Sequence, residues 1–168
     1  MAPLDASTLR WRWCRFAELS LVELQYILAA RQQVFGIEQQ CVYLDIDGHD
    51  EAAYHLAAWA DGVRLPLGYA RLLDPGQKYA EPSMGRVITT EAARGTGLGR
   101  EIVRRVIAHC ADVWPGSAIR ISAQSRLERF YAAAGFVAVK PPYIEDGIPH
   151  TEMLRSAEGS LPTIAVAE

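Results

Sequence analysis

The sequence has little cysteine: three in 168 residues, at Cys14, Cys41 and Cys110. An odd number at wide spacing fits neither a disulfide framework nor a zinc-ligand pattern. Cys14 and Cys110 fall in apolar periodic segments and read as small core residues, whereas Cys41 sits in a polar stretch with no evident base beside it. There is no basic block, and the net charge is −3. A partner with a phosphate backbone is therefore not expected. Long apolar runs are missing too. Stretches such as Leu56–Ala60 are too short to cross a bilayer. Met1–Leu9 has no basic start followed by an apolar stretch, so no signal peptide and no membrane association are expected, and a cytoplasmic location is predicted. Internal repeats, linkers and low-complexity tracts are absent, which predicts one domain over 1–168 with loose ends at 1–8 and 156–168.

What is present alternates between strand and helix signals. Leu9–Phe16, rich in tryptophan, reads as a strand. Ser20 with Glu23 three residues on forms a capping box, and Leu21, Leu24, Leu28 and Phe35 mark the apolar stripe of the next helix. Tyr54–Ala60 and Val63–Leu72 read as strands joined through Asp61-Gly62, a two-residue hairpin signal. Gly85–Thr89 is a further short strand. Leu98, Ile102, Val106 and Cys110 then give a helix face that ends at Trp114-Pro115-Gly116. After a strand at Ala118–Ala123, a helix over Arg126–Ala134 stops at Gly135, and Phe136–Val139 and Thr151–Leu154 are short strands. The order β-α-β-β-β-α-β-α-β-β implies a mixed sheet with helices on both faces, an α/β (α+β) arrangement.

The most informative segment is Arg94-Gly95-Thr96-Gly97-Leu98-Gly99, placed between a strand and an amphipathic helix. Glycines allow close backbone approach, and a helix start offers free N–H groups at the positive end of its dipole. With Arg94 adding a full charge, a diphosphate is the natural guest. A P-loop would need Gly-Lys-Ser/Thr, but Gly99 is followed by Arg100 and Glu101; a dinucleotide fingerprint would need a small residue where Arg100 stands. The run also reads as a glycine-rich turn that caps a helix.

The segment matches Arg-x-x-Gly-x-Gly, the pyrophosphate loop of GNAT acetyltransferases, and Phe130-Tyr131-Ala132-Ala133-Ala134-Gly135-Phe136 resembles the second signature of that family, Phe-Tyr-x-x-x-Gly-Phe. Arg31-Gln32-Gln33-Val34-Phe35, Glu38-Gln39, Asp45-Ile46-Asp47-Gly48 and Glu145-Asp146-Gly147-Ile148-Pro149-His150 extend the likeness to the ElaA-type branch. The resemblance implies the GNAT fold, a mixed, mostly antiparallel sheet of six to seven strands. It implies acetyl-CoA as co-substrate, no metal, and direct transfer of an acetyl group to a primary amine of a small molecule or peptide. A homodimer is admitted.

By resemblance, Arg94, Gly95, Thr96, Gly97, Leu98 and Gly99 hold the diphosphate, and Val87, Ile88 and Thr89 run beside the pantetheine arm, with the Val87 N–H facing the developing oxyanion. Tyr131 is the expected general acid toward sulfur; a core aromatic is the alternative reading. Many family members keep a carboxylate on the strand before the glycine loop, but Met84-Gly85-Arg86-Val87-Ile88 has none. The base is then sought among Glu38, Glu145, Asp146 and His150, with His150 best suited by its intrinsic pKa, or in a water chain. The loop Asp45-Ile46-Asp47-Gly48-His49-Asp50-Glu51 does not fit the EF-hand pattern. It reads as a solvated loop or as a field that attracts a cationic amine, while His55 and His109 read as structural. Two rival readings stand. One is an acyl-homoserine-lactone-synthase-like enzyme, echoed by Arg31 with Phe35 and the acids downstream of them; the other is an acyl-CoA-binding module without turnover.

Overall fold

A computed structural model describes residues 5–157. It holds an open eight-stranded sheet in the order β1-β2-β3-β4-β5-β8-β6, with β7 pairing on β8. The strands are β1 (Arg10–Arg15), β2 (Tyr54–Trp59), β3 (Gly68–Leu73), β4 (Ser83–Thr89), β5 (Ile119–Gln124), β6 (Val137–Ala138), β7 (Tyr143–Glu145) and β8 (Ile148–Arg155). All pairings are antiparallel except β4 with β5.

The helices are α1 (Leu21–Arg31), α2 (Leu98–Val113) and the short α3 (Glu128–Ala132). Period-2 alternation along the strands gives the sheet two apolar faces. Leu56, Ala58, Ala70, Leu72, Ile121 and Met153 pack with Ile102, Val106 and Tyr131 of α2 and α3. Ala57, Trp59, Tyr69 and Ile88 pack with Ile27, Ala30 and Val34 on the other face. Gly68 lets α2 sit close: a Cβ there would lie 2.5 Å from Ile102 Cδ1 and 3.0 Å from Leu98 Cδ2. Filling that contact costs roughly 1–3 kcal/mol in a packed core.

Local rules account for most element ends. Ser20 Oγ accepts from the Glu23 amide at 3.1 Å, and Glu23 Oε2 accepts from the Ser20 amide at 3.0 Å, which closes the capping box. Gly135, at φ +89°, ends α3, and the Phe136 amide returns to the Tyr131 carbonyl at 3.2 Å.

Three sequence expectations are corrected, and one falls largely outside the described residues. The buried face of α1 and its π-helical extension, Gln32–Glu38, is Ile27, Ala30, Arg31, Val34 and Phe35, while Leu21 is 85% exposed. Apolar residues stand all round the first turns of this helix, so periodicity alone does not set its phase. Asp61-Gly62 does turn the chain, with the Val63 amide on the Ala60 carbonyl. The ladder nevertheless resumes only at Ala58↔Gly68, and residues 63–67, with Pro66 among them, lie outside it. The eighth strand, β7, lies beyond the expected six to seven. It joins β8 through Asp146 and Gly147, both in the left-handed region at φ +50° and +76°, as a two-residue hairpin turn requires. Of the loose ends expected at 1–8 and 156–168, residues 6–8 form a 3₁₀ turn capped by Asp5, and most of the C-terminal stretch lies outside the described residues.

Two irregularities of β4 shape the molecule. Between Tyr69↔Ile88 and Arg71↔Gly85, β4 carries one residue more than β3, a bulge in which Arg86 sits at φ +51°. On its other side, β4 meets β5 at a single register pair, Ser83↔Arg120. Past that pair the two strands part, and the middle of the sheet opens.

Candidate active site

The opening between β4 and β5 is a cleft in three connected parts. The first, about 400 Å³, is lined by Glu38 and Gln39, by Val87, Ile88 and Thr89, by Arg94 and Gly99, and by Phe130 and Tyr131. A narrow passage of about 100 Å³ shares Gln39, Val87 and Tyr131 with it and adds Ser122, Gln124 and His150. The third part, about 360 Å³, shares Ser122, Gln124 and His150 with the passage and is bordered by Asp47, Lys78, Glu145 and Asp146. A larger hollow, about 800 Å³, lies between α2, α3 and Ala157, the last described residue, and none of the sequence-predicted site residues lines it.

The glycine run turns into α2 with Gly95 and Gly97 at φ +75° and +90°. Thr96 Oγ1 donates to the Ala93 carbonyl at 2.6 Å, which fixes the turn. The amides of Gly95, Thr96 and Gly97 make no hydrogen bond among the described residues. They stand free at the positive end of a sixteen-residue helix, an arrangement suited to an anion. Gly99 faces inward, where a Cβ would sit 3.5 Å from the Phe130 ring. Arg94 pairs with Glu38 and also donates to the Thr89 carbonyl at 3.2 Å. Glu38, one of the sequence candidates for a base, therefore has its carboxylate engaged at the glycine-loop end of the cleft, while His150 lines the passage and the far part.

Tyr131 lines both the first part and the passage. Its ring is held edge-on by Phe130 and Phe136, at centroid distances of 5.0 and 5.9 Å. Burial pushes its phenol well above the ordinary tyrosine range. That hydroxyl has no hydrogen-bond partner among the described residues, so it combines a core ring with a free donor facing the cleft.

His150 projects from β8 opposite Gln124 of β5. Its Nδ1 lies 2.9 Å from the Ile148 carbonyl, which can only accept; in the neutral ring the proton is then on Nδ1 and the lone pair on Nε2. Nε2 lies 4.0 Å from Glu145 Oε2. Ser122 Oγ donates to that same carboxylate oxygen at 3.0 Å and also bonds the Tyr143 hydroxyl. No local sequence signal singles out Ser122, Tyr143 or Gln124. They come from separate elements, and only the third dimension brings them to the cleft.

The three aspartates of the acidic loop are held by arginines and are not free to draw in a cation, while Ile46, Gly48 and Glu51 of the same loop are exposed. Arg31, fully buried, reaches Asp45 and Asp50 at 2.8 Å each. Arg71 holds Asp47 at 2.6 Å and Asp50 at 3.0 Å, and Arg86 holds Asp45 at 2.7 Å and Asp47 at 3.1 Å. Three arginines cancel three aspartates. Despite burial, the hydrogen bonds and charge of Arg71 keep Asp47 well below the usual carboxylate range, and Arg31 does the same for Asp50. His55 bonds Tyr69 at 2.7 Å and the Asp50 carbonyl at 2.9 Å, and His109 packs against Trp13 and Tyr54, so both belong to the scaffold. Burial raises the Cys41 thiol, which argues against a reactive thiolate there.

Known proteins share this sequence pattern and architecture. Residues 25–156 match the family described as Acetyltransferase (GNAT) domain. The chain is 43% identical over 146 residues to UPF0039 protein sll0451 of Synechocystis, a span of 87% of this chain and 94% of that one. It is 36% identical over 149 residues to ElaA of Escherichia coli, covering 88% of this chain and 96% of ElaA, and the crystal structure of ElaA superposes with a TM-score of 0.81. An acyl-CoA N-acyltransferase from Pseudomonas aeruginosa superposes with a TM-score of 0.82 at 41% identity, over 88% of this chain and 99% of that one.

Proposed function

The chain belongs to the GNAT acetyltransferase family, and from that premise we propose that it moves an acetyl group from acetyl-CoA to the primary amine of a small molecule or peptide. The observation that carries the reading is Tyr131: a phenol without a hydrogen-bond partner among the described residues, at the junction of the glycine-loop cleft and the passage to His150.

The residues present fit an acyl-CoA. Free amides at the start of α2 suit a diphosphate, and the β4 edge that parts from β5 is open to pair with amide groups. When bound, the acyl-CoA supplies an activated thioester carbonyl. Gly95, Thr96 and Gly97 hold the diphosphate with their amides, and Arg94, paired with Glu38 and bonded to the Thr89 carbonyl, borders that end of the cleft. Val87, next to the bulge, offers its amide to the negative charge that develops on the carbonyl oxygen. His150 Nε2 takes a proton from the acceptor amine, directly or through water. The amine nitrogen bonds to the acyl carbon, the C–S bond breaks, and Tyr131 gives its proton to the departing sulfur.

Tyr131→Phe keeps the ring and removes only the donor. It should lower kcat by about 10²-fold or more while CoA affinity by calorimetry stays within about twofold. An unchanged rate in an assay limited by chemistry would return Tyr131 to the core and remove the main support for this reading.

A further inference from the structure

The far part of the cleft contains a carboxylate, Glu145, that neither the scaffold nor the acyl-transfer steps account for. Glu145 stands on β7, at the edge of the cleft, with its side chain 41% exposed. Its Oε2 accepts from Ser122 Oγ at 3.0 Å and lies 3.4 Å from the Tyr143 hydroxyl and 4.0 Å from His150 Nε2. None of these neighbours is a permanent cation. Other carboxylates nearby are matched: Asp47 by Arg71 and Arg86, Glu152 by Arg120 and Lys140, and Glu81 by Arg120. Glu145 is thus left with hydroxyls and an imidazole, while Asp146, exposed at the adjoining turn, has no ion pair among the described residues.

The arrangement has a direction. The tight turn at Asp146-Gly147 sets Glu145 opposite Ile148, two residues along β7 from Tyr143, which faces His150. Ser122 reaches across from β5, where it is two residues from Gln124, the partner of His150. A carboxylate, a hydroxyl chain and an imidazole with its lone pair on Nε2 therefore converge at the end of the passage that begins at Tyr131.

We propose that Glu145, oriented by Ser122 and Tyr143, is the seat of the acceptor as an ammonium ion, so that the acceptors of this protein are alkylamines cationic at neutral pH. This rests on the acyl-transfer reading above. An ammonium has three N–H donors and no acceptor, and a carboxylate with a free oxygen beside a hydroxyl matches it. Held there, the ammonium passes one proton to His150 Nε2, which releases it to water, and becomes the neutral nucleophile. The second proton, lost when the C–N bond forms, leaves by the same route, and the Tyr131 phenolate left after protonation of the sulfur is reprotonated from water. Hydrogen bonds between ionised partners are about twice as strong as neutral ones, and this difference selects for charge.

The test compares two nucleophile classes on the same protein: primary alkylamines such as diamines and lysine-containing peptides, and arylamines, which are neutral at pH 7. The wild type should favour the alkylamines in kcat/KM. Glu145→Gln should raise the alkylamine KM about tenfold, with the arylamine KM and the CoA Kd unchanged. Glu145→Asp should recover part of the loss. Thermal melting of both variants checks that the fold is kept. An unchanged alkylamine KM in a folded Glu145→Gln protein, or a wild type that prefers arylamines, overturns the assignment and leaves the acyltransferase reading intact. If CoA binds and no amine of either class is acylated, both readings fall.

Discussion

Asp47 and Glu145 border the same cleft, and the carboxylates at the two positions are held in opposite ways. Asp45, Asp47 and Asp50 are enclosed by Arg31, Arg71 and Arg86, which tie α1, β3 and β4 to one loop. Glu145 has hydroxyls and an imidazole around it. A count of negative charges along the chain ranks the first group as the stronger attractor of a cation. The structure reverses that ranking, because a carboxylate already matched by a guanidinium has little field left to offer. The first group contributes to stability, and the second is available for recognition.

The largest effect should come from breaking the knot. Asp50→Ala leaves Arg31 and Arg71 buried with fewer partners, and losing one member of a buried pair costs about 3–5 kcal/mol. Urea unfolding should show that loss. Replacing Arg31 and Asp50 together by apolar residues of similar volume should recover part of it, and a double variant as unstable as the single one would contradict the account. Next in size is acid sensitivity. Asp47 and Asp50 have lowered folded-state pKa values, so the stability they contribute is fully present above the unfolded value of about 4 and declines as pH falls below it. Melting temperature tracked from pH 6 to pH 3 should fall steeply, and Asp47→Asn should flatten that slope while lowering stability at neutral pH. The smallest effect is expected at the other group. Glu145→Gln should leave unfolding free energy within about 0.5 kcal/mol, as surface changes usually do. A loss of several kcal/mol would place Glu145 with the scaffold and erase the contrast.

The glycine turn, the Ser20 capping box, the α2 stripe and the Gly135 stop are legible in the sequence, because each is a local pattern within one turn or one helix face. The arginine–aspartate knot is not, since its partners lie 14 to 41 residues apart and meet only once β3 and β4 are paired. Arg31 is visible as part of a family likeness, yet nothing in periodicity suggests that a helical arginine is fully buried. The same holds for Glu38, whose link to Arg94 spans 56 residues. The β7–β8 turn has a readable local signal in Asp146-Gly147, of the same kind as Asp61-Gly62. One closes a two-residue hairpin and the other does not. Ile148 continues the ladder at once, whereas residues 63–67 lie outside it.

The single pair joining β4 to β5 gives the sheet two unpaired strand edges in its interior. Exposed edges invite other chains to add a strand, and proteins usually blunt them with charge, proline or short length. Here the two edges face each other inside the cleft, across a passage lined by Tyr131 and Gln124, instead of standing at the rim of the sheet. The molecule thereby keeps the hydrogen-bonding capacity of a strand on the wall of its own cleft.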